Sequence, residues 1–110
     1  MATHTFKNAG AGTAILTSDT DVYTCPALTQ ATNHALFLSN IDGAASVTVT
    51  VKVYDVSATA TATLMKDAVI EIGNTISFDK PINLEAGDKI QVSAGATGDV
   101  EAFCSVLEIS

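Results

Sequence analysis

The stretch Ser46–Asp55, Ser-Val-Thr-Val-Thr-Val-Lys-Val-Tyr-Asp, alternates apolar and polar residues over its whole length. Valine stands at every second position, and the residues between are hydroxylated, charged or aromatic. Side chains of a β-strand point to its two faces in turn, so this period predicts a strand with one face in a core. Valine and threonine are stiff at χ1, which also favours strand over helix.

The same alternation recurs along the chain in shorter segments, separated by turn sequences. Regular spacing of about eight or nine short strands predicts an all-β protein of the β-sandwich class. An Asp-Gly step at Asn40–Gly43 lies between two such segments and predicts a β-hairpin, because its turn needs positive φ. The segments predicted as strands include Thr13–Ser18, Val22–Cys25, Ala35–Ser39, Ala58–Thr63, Ala68–Ile72 and Val100–Ile109.

Length and composition predict one domain with a thin core. A chain of 110 residues is the size of a single domain and buries roughly two thirds of its unfolded surface. Hydrophobic residues make up 47% of it, but aromatics only 5%, so small side chains dominate. Such a core suits two closely packed sheets.

The N-terminal segment has two interpretations. It is polar and β-prone, its one large apolar side chain is Phe6, and Gly10-Ala11-Gly12 then interrupts the pattern. Residues 1–12 are therefore predicted to be an edge strand or an arm that becomes ordered on a partner. Residues 13–110 are predicted to form the β-sandwich domain.

The charge of the chain disfavours two classes of partner. The net charge is −7, and all five basic residues are lysines. Arginine is preferred for phosphate and guanine contacts, and the negative charge of the chain repels the phosphate backbone. We therefore expect no nucleic-acid partner. An anionic membrane surface is disfavoured for the same reason. No signal peptide is recognisable and no apolar run approaches ~20 residues, so a soluble protein made in the cytosol is expected.

The two cysteines predict no catalytic nucleophile. Cys25 and Cys104 are interpreted as buried thiols, with a disulfide between them as the alternative. Cys25 with His34 is the one conceivable pair of nucleophile and base, but no cation or helix start near Cys25 is recognisable that would lower its pKa. Buried thiols favour a structural role.

No metal or cofactor site is predicted either. The pair Asp19 and Asp21 lacks the further residues of a calcium-binding loop. His4 and His34 are far apart and have no metal-ligand spacing. Glu85 and Asp88 fall at a turn, where solvated charge is the ordinary explanation. We therefore expect no catalytic, cofactor-binding or metal residues, and no enzyme.

The last predicted strand is apolar on both faces. Ala102, Cys104 and Val106 share one face; the other carries Phe103, Leu107 and Ile109. A strand with two apolar faces is normally covered on both. In a thin sandwich the second cover can be a neighbouring subunit, so the pattern predicts a homo-oligomer.

Four stretches of the chain together form a recognisable pattern of strand and turn motifs. They are Val-Tyr-Thr-Cys-Pro-Ala at Val22–Ala27, Leu-Ser-Asn-Ile-Asp-Gly at Leu38–Gly43, Leu-Glu-Ala-Gly-Asp-Lys-Ile at Leu84–Ile90, and Ser-Val-Leu-Glu-Ile at Ser105–Ile109. In this order they resemble small virion structural proteins of tailed bacteriophages of marine and cyanobacterial type. The resemblance spans most of residues 13–110, and Cys25 stands where that pattern carries an aliphatic residue.

This resemblance implies a non-enzymatic protein that decorates or cements the capsid, or that sits at a neck or fibre. The first hypothesis is a capsid decoration or cement protein that stabilises the phage head by bridging capsid subunits. It implies a jelly-roll-like sandwich, a homotrimer or dimer, and the major capsid protein or other virion proteins as partners. The protein would reside in the virion, which assembles in the host bacterial cytoplasm. The residues predicted to dock on the partner are Thr3, Thr5, Phe6 and Lys7.

Three alternatives stay open at this point. An immunoglobulin-like sandwich differs from a jelly roll in strand pairing, which periodicity does not report. A receptor- or carbohydrate-binding head of a phage fibre is the second candidate function, although few aromatic residues are available for sugar stacking. A cupin-like enzyme is the third, but it needs a histidine-rich metal cluster.

Overall fold

The computed structural model describes residues 3–110, and these form nine β-strands. Met1 and Ala2, which belong to the predicted arm or edge strand, lie outside the described residues. The strands are β1 (His4–Ala9), β2 (Thr20–Thr24), β3 (Gln30–Asn40), β4 (Val47–Asp55), β5 (Ala60–Ile70), β6 (Thr75–Phe78), β7 (Ile82–Leu84), β8 (Lys89–Ala94) and β9 (Val100–Ile109).

The strands form two sheets that pair in the order of a jelly roll. The first sheet runs β1–β9–β3–β6, with β7 also on β3, and the second runs β2–β8–β4–β5. Every pairing is antiparallel. β6 and β7 share one strand position, so the nine strands fill the eight places of a double-sheet jelly roll. The predicted jelly-roll-like sandwich is confirmed. The immunoglobulin-like order is wrong, because β1 and β2 lie in different sheets.

The core lies between the two sheets and is built from small aliphatic side chains. On β4 the predicted alternation is confirmed, because Val47, Val49 and Val51 are buried. On β3, Leu36 and Leu38 are fully buried. Valine and isoleucine dominate the rest of the core, as a thin two-sheet interior requires.

The segment Thr13–Ser18 was predicted to be a strand, and this prediction is wrong. It has no regular secondary structure, although Ile15 is fully buried in the core. The segment carries the chain from the first sheet to the second, and its carbonyls accept hydrogen bonds from a loop and from the last residue of β8. The Gly98 N–H donates to the carbonyl of Ile15, and the Ala94 N–H to that of Leu16.

The hairpin predicted at Asn40–Gly43 is also wrong, because β3 and β4 belong to opposite sheets. The turn instead crosses the end of the sandwich and is held by the buried side chain of Asn40. Its Nδ2 donates to the carbonyls of Ala45 at 3.0 Å and Ile70 at 2.9 Å. Its Oδ1 accepts the Asp42 N–H at 2.9 Å.

The two strands predicted at Ala58–Thr63 and Ala68–Ile72 are one strand, β5. Its register with β4 shifts twice, and Asp67 has a positive φ of 51°. The Asp67 N–H donates to Thr50 Oγ1 on β4 at 3.0 Å. A β-bulge inserts extra residues without ending a strand, which explains how the alternation breaks while the pairing continues.

Candidate interaction surface

The outer face of the first sheet carries large apolar side chains in register. Phe37 on β3 lies directly opposite Phe103 on β9, and their exposed fractions are 40% and 37%. Further along β9, Leu107 lies opposite Phe6 of β1, which is 82% exposed. We call these four residues the aromatic face. It contains three of the four phenylalanines of the chain.

Strand β9 has the two apolar faces that its sequence predicted. Ala102, Cys104 and Val106 are buried in the core. On the other side, Phe103 is exposed and Leu107 half-buried. The chain's own fold therefore leaves the second face of β9 partly in contact with water.

Between its two apolar rows the aromatic face is uncharged. Ser105 on β9 lies between Asn8 of β1 and Ala35 of β3 in the register of the sheet. The first charged side chain along β9 on this side is Glu101, at the end of the strand. Near that end, the hydroxyl groups of Ser39 and Thr75 form a hydrogen bond, with 2.8 Å between Oγ and Oγ1. The middle of the face thus offers the small side chains of Ser105 and Ala35, with the exposed imidazole of His34 beside them on β3.

The outer face of the second sheet has a different chemistry. Lys52 lies 3.2 Å from Asp19, and Lys89 lies 3.3 Å from Asp21. Gln91 Nε2 donates to Asp21 Oδ1 at 2.9 Å. The hydrogen bond from Gln91, together with Lys89, lowers the pKa of Asp21 although partial burial opposes the shift. Paired charges of this kind are typical of a surface that stays in water.

The predicted docking residues lie on or beside β1, an outer strand of the first sheet. β1 pairs only with β9 among the described strands, so its other edge has unpaired backbone groups. Thr3 extends the pairing, since its N–H donates to the Ser110 carbonyl at 2.7 Å and its carbonyl accepts the Ser110 N–H at 2.9 Å. Thr5, Phe6 and Lys7 are exposed.

The docking residues do not share one face of β1. Phe6 points to the aromatic face, whereas Thr5 and Lys7 alternate to the other side. Lys7 Nζ lies 3.8 Å from Glu108 Oε2, and half of the Lys7 side chain is exposed. The structure therefore brings the four residues to one strand edge but divides their side chains between two faces.

Glu108 also joins the two sheets through Tyr23. The Tyr23 hydroxyl donates to Glu108 Oε2 at 2.6 Å, and Tyr23 is buried. Burial, reinforced by the nearby Glu108 carboxylate, raises the pKa of Tyr23 well above its usual value. Sequence reasoning missed this contact because the two residues are 85 positions apart and belong to different sheets.

β1 ends where the backbone comes close to β9. Gly10 has a φ of 93°, and a Cβ at this position would lie 2.7 Å from the carbonyl oxygen of Ala102. Only glycine combines that φ with so close an approach at low cost. The glycine interruption seen in the sequence is thus the point where the chain leaves the first sheet.

Both cysteines are free and buried, in agreement with the first interpretation of the sequence. Cys25 Sγ donates to the carbonyl of Thr29 at 3.3 Å. Burial raises the pKa of Cys25 and that of Cys104 to about 11. Thiols in this state are protonated at neutral pH and are poor nucleophiles. His34, the conceivable base, is exposed on β3.

Three carboxylates meet at one end of the sandwich. Oxygens of Asp55, Glu85 and Asp88 lie within 4.8 Å of one another. Asp88 is buried, which corrects the expectation of a solvated charge. Its two oxygens accept the N–H groups of Val56 at 3.0 Å and Glu85 at 2.8 Å. Asp55 Oδ1 accepts the Ser57 hydroxyl at 2.8 Å, so local donors account for these carboxylates as turn caps.

A groove of about 590 Å³ opens beside these turns. Leu28 at its rim is 94% exposed and has a positive φ of 58°. No aromatic ring lines this groove. The residues that line the groove are Leu28, Thr29, Gln30, Val56, Ser57, Glu85, Ala86, Ile109 and Ser110.

No helix among residues 3–110 is long and apolar enough to cross a membrane.

Comparison with known proteins defines the fold and not the family. No protein-family model matches the chain, and no curated protein matches it. Among solved structures, a subunit of the disulfide-linked endospore appendage pili of Bacillus has a TM-score of 0.53 at 14% identity, over 98% of this chain and 85% of that one. A protein of the infectious bursal disease virus particle has a TM-score of 0.53 at 11% identity, over 96% of this chain.

A pentameric capsid protein from metagenomic phage sequences is also similar, with a TM-score of 0.47 at 17% identity, over 86% of this chain. The chain spans 58% of that phage protein and 30% of the bursal disease virus protein. At 14% identity or less, the likeness to the pilus subunit and to the bursal disease virus protein concerns the fold alone.

Proposed function

We propose that this chain is a non-enzymatic structural protein of a bacteriophage virion. In this proposal it decorates the capsid as a cement protein and stabilises the head by bridging neighbouring capsid subunits. The observation that carries the proposal is the aromatic face, an uncharged apolar surface on an otherwise acidic sandwich. Exposed apolar patches on a small soluble protein mark contacts with other proteins.

The fold supports the proposal in a limited way. A jelly-roll sandwich is common to capsid domains, and one similar structure comes from a virus particle. A similar fold also occurs in a subunit of the endospore appendage pili of Bacillus. The common element is a rigid sandwich that presents its faces and edges to neighbours. The resemblance of the strand and turn motifs to phage virion proteins favours a phage virion over these other assemblies.

Docking on the capsid is assigned to β1 and the residue before it. The docking residues remain Thr3, Thr5, Phe6 and Lys7. The outer edge of β1 offers backbone donors and acceptors for strand addition, the mode in which an extended segment adds to a sheet edge. The exposed ring of Phe6 supplies an apolar contact, and Lys7 supplies a cation. The partner is the major capsid protein or another virion protein.

Stabilisation of the head follows from linkage. A protein that binds assembled subunits, and binds separated ones more weakly, stabilises the assembly by its binding free energy. A dimer or trimer of this chain binds two or three neighbouring subunits at once, so each attachment raises the effective concentration for the next. In this proposal the protein is made in the host bacterial cytoplasm and resides in the virion.

The test is co-sedimentation with heads of the phage that encodes the chain, assembled without it. We expect the purified protein to pellet with the heads and to raise the temperature at which they open. Phe6→Ser combined with Lys7→Ala is expected to weaken pelleting, whereas Lys52→Ala on the second sheet leaves it unchanged. Protein that stays in the supernatant contradicts the proposal, and retention on a glycan surface instead would favour a receptor-binding head.

A further inference from the structure

We propose that the aromatic face packs against the same face of a second copy of this chain, about a two-fold axis. The inference rests on the proposed structural role and names one of its partners. It shares only Phe6 with the residues that are assigned to capsid docking. Docking is assigned to β1 and its free edge, whereas self-association is assigned to the central strands β3 and β9.

The first argument is that the centre of the sheet is apolar on its outer side. Phe37 and Phe103 are cross-strand neighbours, and each alternates with fully buried neighbours such as Leu36 and Cys104. A sheet with one face in water normally has polar residues at the outer positions. Phenylalanines at the two facing positions of the central strand pair indicate a covered surface.

The second argument is electrostatic. The chain has a net charge of −7, so two copies repel each other through most of their surfaces. Ser105, Asn8 and Ala35 place no carboxylate in the middle of the aromatic face, where His34 of β3 is also exposed. When two aromatic faces pack together, the carboxylates of one copy do not face those of the other. Glu101 lies at the rim of the contact. A second copy is therefore the occupant that suits this face.

The third argument is area. The whole outer face of the first sheet, of which the aromatic face is the centre, spans four strand positions about 4.8 Å apart and about eight residue steps of about 3.4 Å, or roughly 500 Å² per copy. Two copies then bury roughly 1,000 Å², which is the lower bound for a specific interface. The expected assembly is a reversible dimer that forms at micromolar to submillimolar concentration.

The arrangement of rows indicates the register of the dimer. Ser105 and Ala35 form a row of small residues between the phenylalanine row and the row of Leu107. A two-fold axis that crosses the strands at the Ser105 row places Phe103 of each copy over Leu107 of the partner subunit. Small residues on the axis let the two sheets approach to the usual ~10 Å.

The experiment is a concentration series of the molar mass by light scattering, on the full chain. Wild type is expected to rise from the mass of one chain to that of two. Phe37→Ser with Phe103→Ser is expected to weaken the dimer about tenfold or more, since central aromatics carry most interface energy. The matched control is Val69→Ser, a more exposed apolar position on the outer face of the second sheet, and it is expected to leave the series unchanged. Circular dichroism of each variant verifies the fold.

A wild type that stays monomeric up to millimolar concentration overturns the inference. So does a dimer or trimer that persists unchanged in the Phe37 and Phe103 variant, because it would then use another surface. Co-sedimentation separates this inference from the proposed function. If wild type pellets with phage heads but does not self-associate, only the inference fails; if it does neither, both fail.

Discussion

The two sheets of this protein share a strand architecture but differ in what their outer faces carry. Outside β4 and β8, Lys52 and Lys89 pair with aspartates. Outside β3 and β9, Phe37 lies opposite Phe103 and no charged group intervenes along the centre. One face suits water and the other suits a protein surface. The difference shows that alternation defines a strand, whereas the residues at its outer positions indicate what the strand meets.

The largest expected effect contrasts two neighbours on β3. Leu36 is fully buried, whereas Phe37 lies on the aromatic face. Leu36→Ala is expected to lower the free energy of unfolding by about 3 kcal/mol, because it leaves a cavity in a thin core. Phe37→Ala is expected to cost less than about 1 kcal/mol at concentrations where the chain is monomeric. Urea denaturation measures both, and equal losses would mean that the aromatic face belongs to the core.

The next effect tests the link between the sheets. Tyr23→Phe removes the hydrogen bond to Glu108 and is expected to cost about 1.5–3 kcal/mol, the range for a bond to a charged group. Tyr54→Phe, on the outer side of β4, is the matched control and is expected to be nearly neutral. A loss in Tyr54→Phe as large as that in Tyr23→Phe would contradict the assigned role of the pair.

The pair of Tyr23 and Glu108 also predicts that the free energy of unfolding decreases at alkaline pH. The pKa of Tyr23 is higher in the folded state than its unfolded value of about 10. Its contribution to stability is therefore fully present below pH ~10 and is lost as the pH rises toward the folded pKa. Denaturant midpoints between pH 9 and 11 are expected to fall more steeply in wild type than in Tyr23→Phe. Parallel slopes would show that Tyr23 does not titrate with unfolding.

A smaller effect concerns the charged face. Lys52→Gln removes the contact with Asp19, and we expect a loss of less than about 1 kcal/mol, because exposed ion pairs contribute little. The loss is expected to shrink further in 1 M salt, where screening is strong. A salt-independent loss above that range would place the pair among buried groups and weaken the contrast between the two faces.

The smallest expected effect is a loss of stability at acid pH that arises from Asp21 on the outer face of the second sheet. The pKa of Asp21 is lowered by Gln91 and Lys89. Its contribution to stability is thus present above the unfolded pKa of about 3.9 and is lost as the pH falls through the lower folded value. Asp21→Asn is expected to flatten the loss of stability below pH 4. If thermal melts show that the melting temperatures of wild type and variant fall equally as the pH drops below 4, this assignment is contradicted.

Local pattern predicted the strands well where one face is polar, as on β4. It failed where the deciding contacts are distant. The turn at Asn40 has a hairpin sequence, but the sheet that the next strand joins depends on packing, which a turn signal does not encode. The position of Phe37 opposite Phe103 depends on a register shift between Asn33 and Ala35.

The candidate surface was predicted in part. The two apolar faces of β9 are visible in its own sequence, because alternation is local. The burial of Asp88 was missed, since its two N–H partners at Val56 and Glu85 come from different turns that only the fold brings together. Sequence therefore indicated that a strand needs a second cover, while the structure identified the face of β3 and β9 that requires it.

Oxidative footprinting with hydroxyl radicals, read by mass spectrometry, tests the central contrast most directly. Wild type would be labelled at a concentration where it is monomeric and again at one where it is assembled. Phe37 and Phe103 are expected to lose reactivity on assembly, while Tyr54 on the second sheet keeps it. Protection of Tyr54 with unchanged labelling of the two phenylalanines would contradict the account, because the charged face would then be the one that meets a partner.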